Sequence, residues 1–189
     1  MIKETVLNNR SYRRFDQAHV LEEATLEELV ELARQTPSAN NMQPLKYVLS
    51  ADPQTNARIF PCLVWAAKLD WEGPAEGERP TGYIVILGDQ EIAQFFGYDC
   101  GIAAQTIMLG AAEKGLGGCM LGAIDRESLR QELSIPEWFD ILLVLALGKP
   151  AEQVKLEEVG PDGDVSYWRD ADGIHHVPKR RLADIIWRG

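Results

Sequence analysis

Apolar positions recur at helical spacing across Leu26, Leu29, Val30, Leu32 and Ala33, which predicts an amphipathic helix. Thr25 and Glu28 have capping-box spacing at its start. Pro37 predicts its end, because the residue before a proline is steered out of the helical region. Leu45–Ser50 predicts a short strand, and Asp52-Pro53 the cap and first-turn proline of another helix. Asp70–Pro80, rich in Gly, Pro and Glu, predicts a loop. The unbroken apolar run Tyr83–Leu87 has the character of a strand covered on both faces. Glu91–Lys114 predicts the longest helix. Ile102, Ala103, Ala104, Ile107, Met108, Leu109, Ala111 and Ala112 make it apolar on most sides, as in a central, buried helix. Gly101 and Gly110 lower its propensity and imply close packing as compensation. Gly115-Leu116-Gly117-Gly118 ends it, with glycine available for a left-handed cap. Asp125–Leu133 predicts a further helix, Ile141–Leu147 a second buried strand, and Val165–Val177, broken at Asp170-Ala171-Asp172-Gly173, a hairpin. Strands and helices mix without regular alternation, which favours α+β over a doubly wound sheet. The apolar tail Leu182–Trp187 has no partner in this order of elements.

At 189 residues, with 46% hydrophobic and 25% charged positions, the chain reads as one globular domain over residues 1–189, with 66–80 as a candidate lid. A net charge of −10 argues against a nucleic-acid partner, which needs a continuous basic stripe. Cys62, Cys100 and Cys119 are odd in number and form no Cys-x-x-Cys pair, as expected of reduced thiols. No apolar run approaches the ~20 residues of a membrane helix, and Met1-Ile2-Lys3-Glu4 lacks the apolar core of a signal peptide. The expectation is a soluble, cytoplasmic protein without a membrane partner.

Two short basic clusters depart from the acidic total: Arg10-Ser11-Tyr12-Arg13-Arg14-Phe15 and Pro178-Lys179-Arg180-Arg181-Leu182. Guanidinium forks, an ammonium and a hydroxyl form a donor set for one phosphate; a solvated basic face and a charged tail are the plainer alternative. Pro37-Ser38-Ala39-Asn40-Asn41-Met42-Gln43-Pro44 offers a hydroxyl and amides without charge. It is either a turn whose side chains cap local backbone groups or a neutral surface for a planar heterocycle or polyol. Gly117-Gly118-Cys119-Met120-Leu121-Gly122 reads as a glycine-rich turn that lets backbone approach a ligand or simply packs tightly. It lacks the Lys-Ser/Thr ending of a P-loop, and no Gly-x-Gly-x-x-Gly follows a strand. His175 and His176 are adjacent, so on a strand they face opposite ways, which suits one metal poorly; a surface role is expected for them. Asp170-x-Asp172-Gly173 lacks the later glutamate of a calcium loop. Cys119 has no histidine near it in sequence, and no Ser-His-Asp order is visible. No protein acid, base, nucleophile or metal cluster stands out, so the reactive chemistry is expected to belong to a bound cofactor.

These segments resemble the FMN-dependent nitroreductase family. Arg10–Phe15 is similar to its opening Arg-Ser-x-Arg-x-Phe, residues 37–44 to its Pro-Ser-Ala-x-Asn-x-Gln-Pro, and residues 115–122 to its Gly-Leu-Gly-Ser-Cys-x-x-Gly. Ala146-Leu147-Gly148-Lys149-Pro150 is similar to its late strand ending in Gly-x-Pro, and Lys179-Arg180-Arg181 to its C-terminal Lys-x-Arg. The five blocks occur in family order. The resemblance implies an α+β, nitroreductase-like fold: a central, mostly antiparallel sheet flanked by helices, with the C-terminal segment extending onto a dimer partner. It implies that Arg10, Ser11, Lys179 and Arg181 hold the FMN phosphate. Arg13 would lie beside the pyrimidine side of the flavin, with Arg14 as a further candidate. Tyr12 and Met120 fall in the same binding segments, and backbone at Leu121 and Gly122 would approach the ring. Pro37, Ser38, Ala39, Asn41 and Gln43 would come from the second subunit of a homodimer. Leu45 stands where many relatives have Trp, Gly117-Gly118 replaces Gly-Ser, and the short stretch 63–79 leaves Trp65, Trp71 and the following loop as candidates for a substrate wall.

The expected activity is hydride transfer from NADH or NADPH through FMN to a small-molecule acceptor such as a nitroaromatic, quinone or activated alkene. No catalytic side chain and no metal are implied. An oxygen-using flavoprotein of the flavin-fragmenting or dehalogenase type, a non-catalytic flavin-binding protein and a phosphate-binding module without flavin remain as alternatives.

Overall fold

The computed structural model describes residues 2–66 and 69–188. In chain order the elements are α1 (Ile2–Asn8), β1 (Phe15–Asp16), α2 (Glu23–Arg34), β2 (Leu45–Ser50), α3 (Pro53–Ile59), β3 (Gly82–Asp89), α4 (Gly97–Glu113), β4 (Gly117–Leu121), α5 (Arg126–Leu133), β5 (Phe139–Pro150), β6 (Val154–Glu158), β7 (Trp168–Arg169), β8 (His175–Lys179) and α6 (Leu182–Ile185). Short 3₁₀ turns occupy Ala39–Asn41 and Phe60–Cys62.

The large sheet is antiparallel throughout. β3 lies between β2 and β5, β4 pairs with β5, and β1 pairs with the end of β5 at Lys149 and Pro150. β3 is buried at every position, and its side chains alternate between two cores. Tyr83, Val85 and Leu87 join Ile59, Leu129 and Val144 beneath α3 and α5. Ile84 and Ile86 join Leu26, Leu29, Ala104, Ile107 and Leu145 beneath α2 and α4. The expected α+β architecture, with an antiparallel sheet between helices, is therefore present. A second, small sheet of order β6-β8-β7 pairs β6 with β8 in parallel and β7 with β8 antiparallel. The hairpin expected within 165–177 forms its β7–β8 half. β6 had no signal in the sequence.

Other elements depart from the reading of the sequence for identifiable reasons. α2 begins two residues before Thr25, with Glu22 at the N-cap and no side-chain cap. Leu21 and Leu26, flanking this first turn, are both buried in one cluster, so a hydrophobic staple sets the entry angle in place of the capping box. α4 begins at Gly97, not Glu91, because Asp89 holds the intervening turn: its carboxylate accepts from Glu91 N at 3.0 Å and its carbonyl from Ile92 N and Ala93 N. Gly110 lets α2 approach, since a Cβ there would lie 2.6 Å from Leu32 Cδ1. Gly101 has nothing within 4 Å of the equivalent position, so compensation by packing fails there. Tyr98, Gly101, Ile102 and Gln105 leave one stripe of α4 open rather than buried. Asp52 caps α3 as expected, accepting from Thr55 N at 2.8 Å. Gly117-Gly118 is strand, not turn; the left-handed residue is Gly115, at φ 69°.

Candidate functional site

The N-terminal basic segment, α4 and the small sheet converge beside β4. Ser11 bridges Gly118 in parallel, and Tyr12 N donates to Gly118 O at 2.9 Å. This seats the N-terminal basic motif against β4. Gly118 is required there: a Cβ would stand 2.3 Å from Ala146 O on the neighbouring strand. Alternation then separates the side chains. Tyr12 packs on the α3/α5 side and donates its hydroxyl to Asn8 O at 3.1 Å. Arg10, Ser11 and Arg13 face a cleft of about 330 Å³ whose other walls come from α4 (Gln105, Met108), Met120 and the small sheet (Val154, His175, Lys179).

The cleft is cationic. Arg10 donates to Val6 O at 2.6 Å, and Arg13 lies over the Tyr167 ring with its guanidinium carbon 5.2 Å from the centroid. Neither these two nor Lys179 has a carboxylate partner among the described residues. The Nε atoms of Arg10 and Arg13 are buried without a partner, and buried donors ordinarily find one. The floor is tied together by Glu152, whose side chain is 2% exposed. Its Oε1 accepts from the backbone N–H groups of Arg13 and, at 3.2 Å, Arg14, and its Oε2 accepts from Arg169 at 2.9 Å. Nothing in the local sequence marks Glu152; only the pairing of β5 with β1 and the approach of β7 reveal its role.

The remaining expected site residues are distributed elsewhere. Arg14 points away from the cleft, paired with Glu78 at 3.4 Å and set over Trp71 at 5.7 Å. Arg181 follows β8, exposed and paired with Glu158 at 3.4 Å. Leu121 is buried in the α3/α5 core, and Gly122 lies exposed just beyond β4. Pro37, Ser38 and Gln43 line a separate cleft of about 440 Å³ between α2, β2 and the start of α4. Ala39 and Asn41 sit exposed at its edge. In this loop Ser38 Oγ accepts from Gln43 N at 2.9 Å, Gln43 Nε2 donates to Asn41 O at 3.0 Å, and the buried carboxylate of Asp99 accepts from Ala39 N at 2.9 Å. Side chains do cap local backbone here. Asn40, Asn41 and Gln43 all adopt positive φ, near 50°; asparagine tolerates that region, whereas for glutamine it is strained.

The histidines require a correction. His175 is not at the surface: it is 1% exposed, with Nε2 3.2 Å from Arg13 Nη1. Burial, reinforced by the charge of Arg13, pulls its pKa down to about 4. His176, on the opposite face, is part-buried and contacts Asp170 at 2.9 Å and Glu157 at 2.8 Å, which raise its pKa. The β8 alternation was legible; the burial of one face was not, because β6 was not.

Trp65 is buried against Phe60 and belongs to the core rather than to a substrate wall. Trp71 is held by Arg14 and, at 4.3 Å, Arg169. Of the candidate lid 66–80, Ala67 and Lys68 lie outside the described residues. Its later part is clamped to β1, with Phe15 N donating to Glu78 O at 2.9 Å and Gly77 N to Gln17 Oε1 at 2.8 Å. Cys119 is buried, and burial pushes its thiol pKa up, which leaves it a poor nucleophile. No group of three metal-ligating side chains is found among the described residues, and no helix is long and apolar enough to cross a membrane.

An antiparallel sheet covered by helices, with a basic cleft where the N-terminal motif meets the small sheet, defines an α+β protein. The nitroreductase family profile matches residues 6–79 and 78–149, and the chain belongs to that family. A Methanothermobacter thermautotrophicus protein provisionally named NADH dehydrogenase/NAD(P)H nitroreductase is 29% identical over 157 residues, covering 80% of this chain and 78% of its own length. An FMN reductase (NADPH) of Bacillus subtilis is 27% identical over 164 residues, 78% of this chain and 65% of the relative. An FMN-dependent nitroreductase of Clostridium difficile superposes with a TM-score of 0.66 at 22% identity, covering 79% of this chain and 86% of its own.

Proposed function

We propose that this chain is an FMN-dependent oxidoreductase that takes hydride from NADH or NADPH and delivers it to a small-molecule acceptor, working as a homodimer. The observation that carries this reading is the convergence of Arg10, Arg13 and Lys179 in one cleft without carboxylate partners among the described residues, in a member of the nitroreductase family. The donor set fits FMN. Arg10, Ser11 and Lys179 supply charge-assisted donors for a phosphate, and the unpartnered Nε atoms of Arg10 and Arg13 are donors in want of an acceptor. Arg181 reaches the phosphate by exchanging its Glu158 partner. Arg13, beside His175 and Tyr167, presents positive charge to the electron-rich edge of the ring. When bound, FMN supplies the hydride chemistry; the chain's own residues bind, orient and exclude water.

The neutral segment Pro37–Gln43 opens into a different cleft from the cations. It meets the ligand when contributed by a second protomer. Exposed apolar side chains support that assembly: Phe95, Tyr98 and Ile102 around the start of α4, and Leu182, Ile185 and Trp187 in the tail, the last 91% exposed. Patches of this kind ordinarily mark interfaces. The acceptor we propose is a nitroaromatic, quinone or activated alkene, by analogy with the family.

The test is direct. Purified protein is expected to be yellow, to release FMN on denaturation, to bleach when mixed anaerobically with NADH or NADPH, and to scatter light as a dimer. A colourless protein that FMN does not reconstitute overturns the reading. Reoxidation with an acceptor panel, under nitrogen and then under air, separates a reductase from an oxygen-using enzyme.

A further inference from the structure

Arg13 is held by groups that carry no negative charge. Its Nη1 lies 3.2 Å from His175 Nε2 and 3.4 Å from Ser11 O, and its guanidinium stacks over Tyr167. The buried carboxylate of Glu152 is spent on two backbone N–H groups and on Arg169. A guanidinium only donates, so Nε2 of His175 is the unprotonated nitrogen and Nδ1 carries the proton. That Nδ1 is buried without a partner among the described residues. The ring is therefore turned to serve Arg13 rather than to satisfy its own donor. The backbone fixes it there: β8 lies between β6 and β7, and His175 N donates to Gln153 O at 2.9 Å.

We propose that His175 is a positioning residue for Arg13. Its uncharged imidazole locks the guanidinium in the cleft and leaves the positive charge available to the bound ligand. A carboxylate at position 175 would hold Arg13 and cancel its charge; an apolar side chain would leave the charge and release the group. The lowered pKa of His175 agrees with a neutral ring near neutral pH but is not needed for the geometry. This proposal rests on the FMN reading above.

Three variants of the full-length, FMN-loaded protein separate these roles: His175→Gln, whose Oε1 replaces the neutral acceptor; His175→Phe, which keeps a ring without one; and His175→Glu, which adds charge. The readouts are FMN affinity by fluorescence quenching and the two-electron midpoint potential by dye equilibration, with thermal melts as a check on folding. His175→Gln is expected to stay within about threefold of wild type in affinity. His175→Phe should bind FMN about tenfold more weakly. His175→Glu should shift the potential negatively by the equivalent of about tenfold, about 30 mV for a two-electron couple. Glutamine as damaging as phenylalanine, or glutamate with the wild-type potential, overturns the proposal. If His175→Glu does not fold, the Gln and Phe pair decides. A wild-type protein that takes up no FMN sinks the FMN reading itself. A wild type that binds FMN, together with His175 variants that all match it, sinks only the role of His175.

Discussion

The cleft of about 330 Å³ at the termini and the cleft of about 440 Å³ beside α2 differ in construction and in charge. The second is built mainly from one stretch, residues 27–47, closed by Asp99 and Ala103 of α4. Arg34 there is bonded to Glu31 by two contacts of 2.6 Å and Asp99 accepts from Ala39 N, while Glu27 and Lys46 have no ion-pair partner among the described residues. The first is assembled from six separated parts of the chain, and its cations face neutral groups. Unpaired cations cost free energy in a half-buried site. Arg10, Arg13 and Lys179 gather in one cleft beside a carboxylate, Glu152, that is engaged elsewhere, and the FMN proposal rests on that gathering. The locally built cleft carries shape and neutral hydrogen bonding instead.

The strongest way to break this contrast is Glu152→Ala. It would leave Arg169 without its buried partner and two backbone donors unsatisfied. Loss of about 3–5 kcal/mol is expected, measured as the shift in urea midpoint at constant slope; a shift below a third of that would mean the floor of the cationic cleft is held by something else. Next is Arg10→Ala, which should weaken FMN by about 1.5–3 kcal/mol, roughly tenfold to a hundredfold, with a smaller effect for Arg181→Ala. Arg34→Ala, in the other cleft, should leave FMN titrations unchanged. Equal losses for Arg10 and Arg34 would erase the distinction between the clefts. Gly118→Ala forces a Cβ against Ala146 O and should cost about 1–3 kcal/mol, seen as a lowered melting temperature; an unaltered melt would show that β4 can shift without penalty.

The smallest expected effect is a pH dependence in the small sheet. His176 has a raised pKa through Asp170 and Glu157; Asp170 is lowered chiefly by His176, and Glu157 by Lys155 first and His176 second. The stability from His176 is complete below its unfolded value near 6.5 and is lost as pH rises through the higher folded value. The stability from the carboxylates is lost as pH falls through their depressed folded values. Wild type should therefore lose melting temperature on the alkaline side relative to its neutral-acid maximum, and His176→Gln should flatten that slope. Parallel profiles for the two proteins would remove His176 from the account.

Much of the large sheet was legible from the chain because each signal is local. Tyr83–Leu87 reads as a doubly covered strand, and Asp52-Pro53 as a cap, whatever surrounds them. The failures are positions where a tertiary contact outweighed a local one. Leu21 and Leu26 moved the start of α2 by burying together, and Asp89 turned six residues of apparent helix into a turn. The site divides the same way. Arg10, Ser11, Arg13 and Lys179 were identifiable as members of basic motifs. Glu152 and His175 were not, since an isolated glutamate and a histidine pair carry no information until strands distant in sequence bring them to Arg13.

The order of residues alone determined the elements, the acidic balance with its two basic exceptions, and membership of a family through five motifs in sequence. Those properties depend on side-chain type and on spacing within a few residues. Only the folded chain decided which cations share a cleft, which carboxylate is committed beneath them, and that one of two adjacent histidines is buried. These depend on pairing β8 with β6, about twenty residues earlier, and on seating Ser11 against Gly118, more than a hundred residues later, contacts beyond the reach of any local pattern.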